Sequence, residues 1–175
     1  MAPKTTKHTG PPPSMHVIQN RAQTFSQSIK VSPRVKLRWP HAHPKPGDLA
    51  LAGFYYCPYD GADDNVCCYL CEKNMGGWEQ EDDPLKEHLR GNDECAWAVL
   101  RDLSVRSKNG EEFGDDVGDP KSEKMNALRE ATFGKWWPHD GKKGWNPKSK
   151  KVIVSSHLCL TVDGSRGVLL YSYGR

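Results

Sequence analysis

Residues 66–95 read VCCYLCEKNMGGWEQEDDPLKEHLRGNDEC, and four of them, Cys68, Cys71, His88 and Cys95, stand in the spacing Cys-x2-Cys-x16-His-x6-Cys. Two thiolates one tight turn apart make half of a tetrahedral site. An imidazole on a helix, with a further thiolate about two turns on and past a break near Gly91-Asn92, makes the other half. Three sulfurs and one imidazole favour a single Zn2+. Four protein ligands fill its shell and leave no position for an activated water, so the ion is predicted to be structural and no catalytic residue is expected around it.

The rest of the composition fits a small module that needs such a metal. The chain has 175 residues, 36% of them hydrophobic, and Leu, Ile, Val and Phe together number only 31. A core of about 75 residues rarely supplies more than ~3–5 kcal/mol, whereas structural zinc contributes ~10–16 kcal/mol in small peptides, so folding is expected to depend on the ion. Five of the six cysteines fall between Cys57 and Cys95. No run approaches the ~18–20 apolar residues of a membrane span, and Met1 to Asn20 has no apolar signal core; the expectation is a soluble, intracellular chain with reduced thiols and no membrane partner. Cys57 and Cys67 lie outside the ligand spacing and read as core thiols. Cys67, beside Cys68 on a strand, is predicted to point to the opposite face.

Charge is segregated along the chain. Residues 1–47 carry eight Lys or Arg and no acid, whereas residues 48–98 carry twelve acids against three bases. The acidic stretch is also the cysteine-rich one, so the folded module projects a negative field. Its partners are expected to be cationic, which disfavours nucleic acid for that module. A zinc deaminase is excluded because its His-x-Glu precedes the Pro-Cys-x-x-Cys pair, the reverse of the order here.

Residues 1–19 read as a flexible, disordered arm around Gly10-Pro11-Pro12-Pro13. A helix is predicted over Asn20–Gln27, then a basic stretch to Arg38 without clear periodicity. Leu49 to Tyr56 suits a helix end and a first strand, and Val66 to Leu70 the next strand. Asp82-Asp83-Pro84 opens a helix, because Asp can cap free amides and Pro is tolerated at the first helical position. A further helix is predicted from Glu94 to Leu103, a linker over 99–121 and another helix from Asp119-Pro120 to Thr132. An internal repeat links the two halves: Arg21-Ala22-Gln23-Thr24-Phe25 matches Arg129-Glu130-Ala131-Thr132-Phe133, and each is followed by Trp-Pro-His, at Trp39 and at Trp137. The first copy holds an insertion at about 26–38, tolerable because loop-closure entropy grows only logarithmically.

These motifs together resemble the baculoviral inhibitor-of-apoptosis repeat, or BIR. They are Leu49-Ala50-Leu51-Ala52-Gly53-Phe54-Tyr55-Tyr56, the ligand set, Gly77-Trp78-Glu79, Asp82-Asp83-Pro84 and Glu87-His88, with Arg21 to Phe25 and Trp39-Pro40 ahead of them. The resemblance covers 20–98 and implies an α+β fold, a small zinc-stabilised BIR domain with a three-stranded antiparallel sheet, short helices and flexible arms. Residues 122–151 look like the start of a second, incomplete BIR, similar to that of fungal survivin-like proteins of the chromosomal passenger complex. Beyond Lys151 only His157 and Cys159 remain as ligands, so residues 152–175 are a divergent tail that cannot close a second four-ligand site.

The resemblance also implies a shallow groove beside the third strand and the following helix that takes a peptide with a free amino terminus. Asp82 falls at the amine-binding position, Glu87 at the assisting one, Met75 and Trp78 at the pocket walls, and Lys73 where a phosphate contact is possible. Gly91 stands where relatives carry a Trp or His, so altered peptide binding is expected. Two functions follow from the family. The first is an adaptor in the nucleus and cytoplasm that reads a basic N-terminal peptide, such as a histone tail or a passenger-complex subunit, during chromosome segregation and cell division. The second is an apoptosis inhibitor acting on caspase-like cysteine proteases. The sequence contains no RING-type zinc cluster, so ubiquitin ligation is not expected.

Overall fold

The computed structural model describes residues 14–119 and 121–133. Helix α1 (Ile18–Thr24) is followed by a two-stranded antiparallel hairpin, β1 (Ile29–Lys30) and β2 (Lys36–Leu37), which is what the insertion forms. Two-residue strands are too short to show an alternating pattern, which is why no periodicity is legible over that stretch.

Helix α2 (Pro46–Leu51) begins on a proline and hands over to β3 (Phe54–Tyr56) through Gly53, whose φ is +107°. A Cβ at Gly53 would lie 2.7 Å from Trp97 Cδ1, so glycine meets both the backbone angle and the close approach of the indole. Strands β3, β4 (Val66–Cys68) and β5 (Asn74–Met75) form an antiparallel sheet in that order, with Phe54 opposite Cys68 and Val66 opposite Met75. This is the α+β architecture expected from the resemblance. Leu49, Phe54, Val66, Cys68 and His88 are wholly buried at its centre.

Helix α3 (Pro84–Gly91) starts where Asp83 accepts the N–H groups of Leu85 and Lys86, at 3.0 and 3.3 Å. Helix α4 (Ala96–Lys108) runs past the predicted end at Leu103, because Leu100 and Ser104 continue its buried face. With α5 (Asp115–Gly118) it occupies much of 99–121, the stretch expected to be a linker. Helix α6 (Glu123–Ala131) is capped by Ser122, whose Oγ accepts the Met125 N–H, and packs against α4. At the other end, Met15 is buried and its carbonyl accepts Arg21 Nη1 at 2.7 Å. The folded part therefore reaches back into the arm expected at 1–19, because the last residues of that arm close over a buried guanidinium.

The two copies of the repeat share a local geometry. Thr24 Oγ1 donates to the Arg21 carbonyl at 2.6 Å, and Thr132 Oγ1 donates to the Arg129 carbonyl at 2.7 Å. Both arginines and both phenylalanines, Phe25 and Phe133, are buried. The second Trp-Pro-His, at Trp137, and the tail over 152–175 lie outside the described residues. Among the described residues, no helix is long and apolar enough to cross a membrane.

Candidate metal centre and peptide groove

The end of β4, the turn after it, the middle of α3 and the residue before α4 each deliver one donor to the same point. The donor atoms of Cys68, Cys71, His88 and Cys95 all lie within 4.8 Å of one another. Cys68 Sγ is 4.0 Å from Cys95 Sγ, and Cys71 Sγ is 3.4 Å from His88 Nε2. His88 Nδ1 bonds the Ala52 carbonyl at 2.7 Å, which fixes the ring and turns Nε2 toward the sulfurs; this is how metal-bound histidines are held. The Leu70 N–H points at Cys68 Sγ at 3.4 Å and stabilises negative charge there.

The thiols and the imidazole perturb one another strongly. Burial lowers the His88 pKa, but hydrogen bonds from the Cys71 and Cys95 sulfurs outweigh it and leave the imidazole raised to about 9. Hydrogen bonds from Cys68 and Cys95 push the Cys71 thiol far down, while Cys68 is pushed far up by the same crowding. A divalent ion bound between these donors would neutralise the charge that gathers there. The donor set, its closure and its second contacts fit one structural Zn2+. Cys57 and Cys67 lie off the site, as the strand alternation predicted; their thiols interact with one another on the other face of the sheet.

The residues predicted to line a groove are strung along α3. At its carboxyl end, a Cβ on Gly91 would sit 3.5 Å from Lys73 Cε and 3.6 Å from Met75 Cε, so these three meet. Glu87, half-buried, is paired with Arg90. At the amino end, Asp82 Oδ2 accepts the Glu79 N–H at 2.8 Å, and the capping role belongs to Asp83 instead. Asp82 lines a recess of about 400 Å3 with Asp48, Leu51, Asp83, Leu85 and Arg101. Trp78, expected as a wall, is 6% exposed and packs edge-on against Phe54 with ring centres 5.8 Å apart.

Two residues that shape the site had little sequence signal. Arg21 is completely buried, donates to the Ala50 carbonyl at 2.9 Å and lies over the Tyr69 and Trp97 rings at 4.5 and 4.9 Å. Burial lowers its pKa only to about 10, so it stays charged. It ties α1 to the turn between the first two ligands, and only its recurrence at Arg129 could have drawn notice. Asp64 accepts the Gly77 and Trp78 N–H groups at 2.9 and 2.8 Å and His41 Nε2 at 3.1 Å, anchoring the loop that leads to α3. Nothing in the spacing of that carboxylate distinguishes it from its neighbours.

A closed four-ligand Cys/His centre on this scaffold defines a small domain organised around one structural zinc site. Residues 21–99 match the Inhibitor of Apoptosis domain, BIR, and they form a BIR domain. Relatives include the chromosomal passenger complex protein bir1 of Schizosaccharomyces pombe, 34% identical over 144 residues, which are 79% of this chain and 14% of that one. Baculoviral IAP repeat-containing protein 5.2-A of Xenopus laevis is 32% identical over 90 residues, half of each chain. The E3 ubiquitin-protein ligase XIAP of Rattus norvegicus is 35% identical over 105 residues, 56% of this chain and 21% of that one. The chain thus spans half or less of the length of these relatives. Among solved structures, DIAP1 BIR1 bound to a Grim peptide is 27% identical with a TM-score of 0.37, covering 61% of this chain and 91% of that one. The part of the chain that matches the family model is the BIR domain, and neither that model nor bir1 nor protein 5.2-A carries the name of an enzyme.

Proposed function

We propose that this protein is a non-enzymatic, zinc-stabilised BIR adaptor that captures a basic peptide by its free amino terminus and acts in chromosome segregation. One observation carries the reading: Asp82 shares its recess with two further carboxylates, Asp48 and Asp83, which outnumber the one arginine there, Arg101, on a module of strongly negative charge. An ammonium is held by carboxylates, and lysines or arginines that follow it are drawn to the same field. Apolar Met75 at the other end of α3 offers a surface for small side chains. A peptide of about four extended residues spans ~13 Å, close to the length of an eight-residue helix.

The passenger-complex setting is supported by the match to bir1, whose 144 aligned residues exceed the 21–99 span and so extend past the first module. The shared geometry of Arg21 and Arg129 supports a second repeat beginning in α6. In this reading the zinc is structural, the location is nuclear and cytoplasmic, and the partner is a histone tail or a passenger-complex subunit.

Calorimetric titration of the zinc-loaded chain with a basic peptide beginning with alanine, free and then acetylated at its amine, tests the reading. The free peptide should bind and the acetylated one should not. Asp82→Ala should cost ~2–5 kcal/mol of binding if a buried ammonium loses its partner. Equal affinity for the two peptides would reduce the attraction to net charge alone and overturn amine capture.

A further inference from the structure

The hairpin formed by the insertion is amphipathic in a way the peptide reading does not use. Its register places Ile29 opposite Leu37 on one face and Lys30 opposite Lys36 on the other. Ile29 packs against the hydrophobic core, so that face is committed. The other face carries Lys30 and Lys36, with Arg38 two residues on and Arg34 in the turn, and all four are exposed. Arg38 Nε bonds Ser28 Oγ at 2.7 Å, across the ribbon from it. Among the described residues, none of the four cations is paired with a carboxylate. Two like charges directly opposite one another on a two-stranded ribbon destabilise it, so this sequence keeps an unfavourable pair on an exposed face.

We infer that the hairpin β1–β2 is a docking surface for the phosphate backbone of nucleic acid, independent of the peptide groove. A polyanion relieves the Lys30–Lys36 repulsion and matches four cations exposed on one ribbon. Nucleic acid was disfavoured for the acidic residues 48–98, and the hairpin lies outside them. Those twelve acids oppose approach of an extended anionic sheet such as a membrane, whereas a duplex needs to touch only the ribbon. The recognition is electrostatic and sequence-independent.

Fluorescence anisotropy of a labelled mixed-sequence DNA duplex with the zinc-loaded full chain tests this. Four phosphate contacts give a slope of log K against log salt of about −3.6, or ~150-fold weaker binding between 50 and 200 mM salt. Replacing Lys30, Arg34, Lys36 and Arg38 together by Gln should flatten the slope by three to four units while zinc content and melting are retained. Lys36→Glu alone should raise the melting temperature, since the cross-strand pair becomes attractive, yet weaken DNA binding about tenfold. Unchanged slope and affinity in both variants overturns the inference. Competition by poly-glutamate as effective as by unlabelled duplex overturns the nucleic-acid assignment in favour of an acidic protein. Either result leaves the amine-capture experiment unaffected.

Discussion

Removing the metal should unfold the BIR domain rather than loosen it. The ligands Cys68 and His88 are wholly buried and Cys95 is 3% exposed, so without an ion three buried donors sit together in the core with only weak sulfur contacts as partners. Each unsatisfied buried polar group costs ~1–3 kcal/mol, and three of them match or exceed the ~3–5 kcal/mol that a core of this size supplies. Zinc, at ~10–16 kcal/mol, reverses that balance. Because ordinary thiols are protonated at neutral pH, binding to the unfolded chain should release about three protons, and apparent affinity should fall by about three powers of ten from pH 7 to pH 6, or ~4 kcal/mol. Chelator titration followed together by far-UV circular dichroism and native mass spectrometry reads both quantities, with proton release measured in a weakly buffered indicator. A metal-free chain that keeps a cooperative thermal transition would refute this reasoning.

Two smaller perturbations probe the supports around the centre. Asp64→Ala should cost ~1–3 kcal/mol in urea denaturation, because the Gly77 and Trp78 N–H groups lose their acceptor. Burial raises the Asp64 pKa, but those bonds and His41 outweigh it and hold it below the usual carboxylate value. Its contribution is thus full above the unfolded pKa and lost only as pH falls through the folded one; the penalty should be equal at pH 8 and pH 9, and a penalty that differs between them would contradict the assignment. Gly91→Ala should stabilise by ~0.5–1 kcal/mol, since the added methyl meets Lys73 and Met75 at ordinary contact distance, and Gly91→Trp should tighten binding of the free-amine peptide about tenfold by giving the groove a wall; titration calorimetry and thermal melts report the two effects.

The ligand set was legible because metal chemistry restricts residue type and spacing so severely that Cys68, Cys71, His88 and Cys95 are recognisable in one dimension. The α3 start was legible for a similar reason: Asp83-Pro84 satisfies free amides locally. By contrast, the burial of Trp78 and the choice of Asp83 within the Asp82-Asp83 pair as the cap depend on which side of a loop faces inward, and adjacent residues of the same type look alike in sequence. The hairpin escaped notice because its strands are shorter than one period of alternation. Arg21 escaped because a buried guanidinium needs two carbonyls and two rings from distant segments, and chain order does not encode that convergence.

The sequence by itself determined the metal, its four ligands and the sign of the module's charge, since these follow from side-chain chemistry that no fold can alter. Only tertiary structure decided where the carboxylates gather, which tryptophan is sealed and that four dispersed cations share one face of a ribbon. Proximity between residues far apart in the chain is set by packing, and packing is a property of the whole module.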